Sequence, residues 1–259
     1  MNLLRRWALV LVALVCGATA QATAPIDFNL LRERVTADLA VGVDWSKAVP
    51  RAEAYISQMT PQGAWPDIDY VNRHITVWAP RKHLERLRAI ALVFGTKDSG
   101  KFQDPTLRDA LLRGLTHWQK VHPQSKNWWF NQILTPRLLG ETLLLAQVGG
   151  VGVDDLPAGL LDRWAKEGGD PSKKAFNTTG SNRMALGEHW AYRGILTGDP
   201  KVLQVGLDAL FSTLCFTDAE GLQRDFSFHQ HGPQLYLGNY GYEWLSLATK
   251  WLAYVGGTP

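Results

Sequence analysis

The stretch Asn131-Gln132-Ile133-Leu134-Thr135-Pro136-Arg137-Leu138-Leu139-Gly140-Glu141-Thr142-Leu143-Leu144-Leu145-Ala146-Gln147 repeats its apolar side chains every three to four residues. That period belongs to an α-helix with a broad apolar face, because residues so spaced share one side of a 3.6-residue turn. The same spacing recurs over 29–40, 47–59, 82–95, 105–119, 157–166, 183–196, 200–216 and 241–255. Breakers separate these segments: Pro61-Gln62-Gly63, Gly95 to Gly100, Gly149 to Gly152, Gly168 to Pro171 and Gly198-Asp199-Pro200. No run of alternating polar and apolar residues reads as strand. About nine helices with loops of uneven length and no heptads predict an all-α toroid or array rather than a four-helix bundle. The lack of an internal repeat argues against fixed-period solenoids.

The chain has 259 residues, 46% hydrophobic and 20% charged, which excludes disordered, collagen-like and coiled-coil classes. Its N-terminus is a basic hexapeptide, an apolar run from Trp7 to Val15, and Ala18-Thr19-Ala20. This order predicts a secretory signal peptide over 1–20, cut after Ala20, since the apolar run is too short to span a bilayer. The expected domain is then 21–259, secreted or periplasmic, with no membrane span. Removing Arg5 and Arg6 from the 27 basic residues leaves them one ahead of the 24 acidic ones. Such a balance offers no bulk charge for nucleic acid, so an anionic ligand must meet local cations. The mature chain keeps one cysteine, Cys215, whose apolar neighbours predict a buried small hydrophobe. Eleven tryptophans suit a core, and also ligands with flat apolar faces such as sugars.

The loops are rich in aromatic and amide groups: Trp65-Pro66-Asp67-Ile68-Asp69-Tyr70, Asn127-Trp128-Trp129-Phe130, Phe176-Asn177-Thr178-Thr179-Gly180-Ser181-Asn182 and Asp225 to Gly232. Gathered on one rim of a helical body, they would form a groove. His231 and Tyr240, nine residues apart across a glycine-punctuated loop, are both groups that move protons. Equally, they suit a loop hydrogen bond and a core cap. Asn182 opens a helix, where it either caps the end or, with Ser181 as cap, presents an amide to a carboxylate. Neighbouring side chains on a helix diverge by about 100°, so Trp128 and Trp129 cannot both face inward. His229 and His231 lack a supporting carboxylate or cysteine, so no metal is expected. Asp67 and Asp69 have no opposed carboxylate of the kind glycoside hydrolysis uses. A serine elbow and a phosphate-binding glycine loop are absent from the sequence.

Together these motifs resemble the N-terminal helical domain of polysaccharide lyase family 8, which includes hyaluronate, chondroitin and xanthan lyases. The resemblance rests on Trp65 to Tyr70, Asn127-Trp128-Trp129 with Thr135-Pro136-Arg137 and Leu139-Gly140-Glu141, Thr179 to Arg183, and Asp225 to Gly241. His231-Gly232-Pro233-Gln234-Leu235 is most similar to the chondroitin AC type. The resemblance implies an α/α toroid, β-elimination on an anionic, uronic-acid polysaccharide, and no cofactor. It assigns catalysis to Asn182, His231 and Tyr240, and substrate contact to Trp128, Trp129 and Phe176. Asn127 and Arg183, within the matched motifs, are further candidate contacts.

Family members continue with more helices, a supporting arginine and C-terminal β-domains. Only 19 residues follow Tyr240 here. The resemblance therefore predicts an incomplete toroid, Trp65, Trp129 and Trp190 more exposed than their counterparts, and either a truncated, low-activity lyase or a non-catalytic polysaccharide-binding or structural remnant. How His231 and Tyr240 divide the base and acid roles stays open at this level.

Overall fold

The computed structural model describes residues 26–171 and 178–258. The expected signal peptide and Phe176 lie outside these residues. The body from Phe28 to Gly256 is one compact unit of nine α-helices among the described residues. These are α1 (Phe28–Ala40), α2 (Trp45–Ser57), α3 (Arg81–Gly95), α4 (Pro105–Val121), α5 (Thr135–Val148), α6 (Leu160–Glu167), α7 (Gly180–Thr197), α8 (Pro200–Phe211) and α9 (Tyr240–Val255). The one sheet among the described residues is a two-residue hairpin, β1 (Gly221–Leu222) against β2 (Phe228–His229).

Local chemistry sets several of these boundaries. Asp44, Asp104 and Asp199 each accept hydrogen bonds from backbone N–H groups of the following first turn. Pro105 and Pro200 sit directly after the latter two caps, where a missing N–H costs nothing. Ahead of α5 the chain makes a π-helical turn, Phe130–Leu134, in which Thr135 N–H reaches Phe130 O. Pro136 has no N–H for the Gln132 carbonyl, and its ring crowds that oxygen, so the looser turn relieves the conflict.

Helices α3, α5, α7 and α9 pack against one another in succession, while α2 and α4 flank α3 and α8 pairs with α7. The α7–α8 pair is close because glycines face each other. A Cβ on Gly187 would lie 2.7 Å from the Gly206 carbonyl oxygen. The alternation leaves the long connections 58–80, 122–129 and 212–239 ahead of α3, α5 and α9, and the described residues 178–179 directly before α7. The motif-bearing segments therefore all lead into this inner set of helices.

Most of the indoles belong to the core. Trp65, Trp78, Trp118, Trp164, Trp244 and Trp251 are buried. The expected exposure of Trp65 is overturned: its ring is sealed beneath His83 and Arg86, and its N–H donates to Tyr55 O at 2.8 Å. Cys215 is also corrected, because it is exposed. Helix α8 ends at Phe211, short of the expected 216, so Cys215 falls on a turn rather than on a buried helix face.

Candidate active site

The loop before α9 carries the histidine. Its hairpin is extended by bonds from Gln230 N–H to Gln234 O and from Tyr236 N–H to Phe228 O. His231 (φ 57°) and Gly232 (φ 78°) then turn left-handed, a conformation that strains a residue with a Cβ. Glu220 secures this turn. Its carboxylate accepts from Gly232 N–H at 2.7 Å and from the Thr179 hydroxyl and Gln230 amide. Burial alone would raise the Glu220 carboxyl, but these bonds and the nearby His231 outweigh it and hold it below the usual range.

The turn brings His231 Nε2 to 2.9 Å from the hydroxyl of Tyr240, the first residue of α9. The imidazole is exposed and the phenol half-buried. Burial, reinforced by Tyr236, Glu243 and Glu220, raises the Tyr240 phenol above its ordinary value. The phenol is thus protonated at neutral pH, and with the imidazole proton on Nδ1 it donates to Nε2. This pair can pass a proton between its members.

Asn182 lies in the first turn of α7 and is 9% exposed. Its amide makes no hydrogen bond among the described residues. Neither Ser181 nor Asn182, the two caps the sequence offered, holds the cap position. Ser181 instead donates its hydroxyl to Glu243 Oε2 at 2.9 Å, while its backbone N–H is met by Gln230 Oε1 at 3.2 Å. Thr179 stands at the cap position with its hydroxyl committed to Glu220. Position 180 favours glycine: φ is 52°, and a Cβ would lie 2.4 Å from Gln230 Oε1, displacing the group that meets Ser181 N–H.

Arg137, in the first turn of α5, donates to Glu243 at 2.9 Å and to Glu188 at 2.7 Å. With the Ser181–Glu243 bond, the Arg137–Glu243 pair draws the starts of α5, α7 and α9 together. Beside them is a cavity of about 540 Å³ whose walls include Trp129, Arg137, Glu188, Tyr240 and Glu243. Asn182 is not one of its walls.

Of the two adjacent indoles, Trp128 is 43% exposed and Trp129 half-buried. Asn127 braces the turn below them: its amide donates to Ile75 O at 2.9 Å and accepts from Trp129 N–H at 3.0 Å. Arg183 directs its guanidinium to Ser212 and Pro171. The carboxylates weighed for hydrolysis are spent locally, Asp67 on a two-pronged pair with Arg86 and Asp69 on Val71 N–H. Sequence reasoning gave no role to Glu220, Gln230 or Glu243. Only Glu243 carried a signal, since three residues beyond Tyr240 is one helical turn away.

Comparisons with known proteins place this fold in a family. The family model described as "Polysaccharide lyase family 8, N terminal alpha-helical domain" matches residues 43–259. A chondroitinase-AC of Pedobacter heparinus is 35% identical over 232 residues, 89% of this chain and 32% of that protein. A hyaluronate lyase of Thermasporomyces composti is 28% identical over 92% of this chain and 32% of its own length. A solved chondroitinase AC lyase superposes with a TM-score of 0.79 at 32% identity, covering 90% of this chain and 34% of that one. A Paenibacillus xanthan lyase, at 22% identity and TM-score 0.68, shares the fold over 89% of this chain and 23% of its own. The chain thus spans about a third of the length of the two curated relatives. The helical fold, the ordered motifs and the family match lead to one conclusion: this chain belongs to polysaccharide lyase family 8.

Proposed function

We propose that this chain binds an anionic, uronic-acid-containing glycosaminoglycan of the chondroitin or hyaluronan type and cleaves it by β-elimination. The observation that carries the reading is the 2.9 Å bond between His231 Nε2 and the Tyr240 hydroxyl. The Asn182 amide, uncommitted at the neighbouring helix start, supports it.

In this reading Asn182 donates to the uronate carboxylate and takes up charge as the α-carbon loses its proton. Tyr240 passes its own proton to His231 while accepting the one from carbon. It then protonates the departing glycosidic oxygen as the carbon–carbon double bond forms, and recovers its own proton from His231. Trp128 and Trp129 offer flat faces to the sugar rings. Turnover is slow, because an exposed His231 leaves the developing charge in water, where preorganised donors are worth less. The protein acts outside the cytoplasm.

The test is incubation of the full chain with chondroitin and hyaluronan. Elimination creates a conjugated double bond and new ultraviolet absorbance, whereas hydrolysis creates reducing ends without it. We expect slow growth of that absorbance, lost in Tyr240→Phe. Bound oligosaccharide with no absorbance at any protein concentration would overturn the catalytic reading and leave a polysaccharide-binding protein.

A further inference from the structure

We infer that Glu243 is a positioning residue of this site: its carboxylate joins the first turns of α5, α7 and α9 and so sets Asn182 and Tyr240 relative to each other. The inference rests on the lyase reading for what is being positioned, though its geometry stands alone. Both oxygens are committed to different helices, Oε2 to the Ser181 hydroxyl and Oε1 to Arg137 Nη2, each at 2.9 Å. Ser181 is fully buried and immediately precedes Asn182. Glu243 itself is one turn along α9 from Tyr240.

The anchor behind Glu243 is firm. Arg137 also donates to Glu188, whose other oxygen accepts from the buried Tyr192 hydroxyl at 3.0 Å. Burial works against the Arg137 charge, but Glu188 and Glu243 more than offset it and raise the guanidinium above its ordinary value. Removing Glu243 would therefore free a helix start and leave Arg137 with one counter-ion.

Glu243 also acts on the phenol through charge. The groups that face Tyr240 are His231 at 2.9 Å, Tyr236 with ring centres 5.2 Å away, Glu220 and Glu243. A negative charge at Glu243 disfavours phenolate, so its loss makes Tyr240 ionise at lower pH.

The experiment labels the seven tyrosines of the full chain with ¹³C at Cζ and follows them by NMR against pH, with Tyr240→Phe identifying the resonance. In Glu243→Gln the Tyr240 midpoint is expected to fall by about half a pH unit or more. Affinity for a chondroitin tetrasaccharide is expected to fall several-fold. A folded variant with an unchanged Tyr240 midpoint and unchanged affinity overturns the inference. If Glu243→Gln does not fold, Glu243→Asp is read instead, since it keeps the charge but withdraws it by one methylene. The expected fall is then smaller, and unchanged values again overturn the inference. Neither readout depends on turnover, so a failure to form unsaturated ends counts against the lyase reading alone.

Discussion

Two tyrosine–histidine pairs in this molecule share one bond length and have opposite fates. Tyr70 and His83 meet at 2.9 Å, as do Tyr240 and His231. In the first pair every polar atom is consumed. The backbone N–H of Trp65 donates to the Tyr70 oxygen, and His83 Nε2 donates to Gly114 O at 3.0 Å. His83 is packed among Trp65, His117 and Trp118, and its full burial lowers it to about 3. In the second pair the imidazole is exposed, and no hydrogen bond among the described residues engages its Nδ1. The phenol faces a cavity. Hydrogen-bonding capacity left unspent, rather than the pair itself, is what separates the proposed reacting pair from a brace.

The largest expected effect breaks the comparison at the hydroxyls. Tyr240→Phe takes formation of unsaturated uronate ends to background, whereas Tyr70→Phe leaves turnover unchanged and costs about 1 kcal/mol of stability. Equal loss of turnover in both variants would erase the distinction.

Acid sharpens it next. His83 and the equally buried His189 are both lowered to about 3 and stay neutral when folded, while the unfolded chain protonates them below about 6.5. Their stabilisation is full above that pH and is lost as pH falls toward 3. By pH 4.5 each has forfeited roughly 2–3 kcal/mol. Urea unfolding midpoints at pH 7 and pH 4.5 measure this, and equal midpoints would contradict it.

A smaller effect compares the imidazoles directly. His83→Ala leaves Gly114 O and the Tyr70 hydroxyl without their partner and costs about 2–3 kcal/mol, while His231→Ala stays within about 0.5 kcal/mol of wild type. The same urea curves at pH 7 decide it. The smallest concerns the indoles: Trp128→Ala weakens oligosaccharide binding by about 1–3 kcal/mol at unchanged stability. Calorimetric titration showing undiminished affinity would remove the stacking role.

Much of this was legible in the residues. The helix period, the Asp-Pro starts of α4 and α8 and the aromatic loops are local signals, carried by spacing and by single side chains. The divergence of Trp128 and Trp129 followed from helix geometry alone. Trp65, Cys215 and Ser181 were misjudged, because burial and bonding at those positions depend on which distant segment arrives. Trp65 is closed over by the start of α3, and Ser181 by residues 49 and 62 positions away.

The sequence by itself therefore determined the helices, their order and the residue types able to move a proton or hold a carboxylate. Those properties reside in short-range periodicity and in side-chain chemistry. Only the tertiary structure decided which tyrosine–histidine pair was left open, and that Glu220 and Glu243 bind the three helix starts into one site. The physical reason is that a carboxylate's partners are chosen by packing: Glu243 reaches back 106 residues to Arg137, and no local pattern encodes that distance.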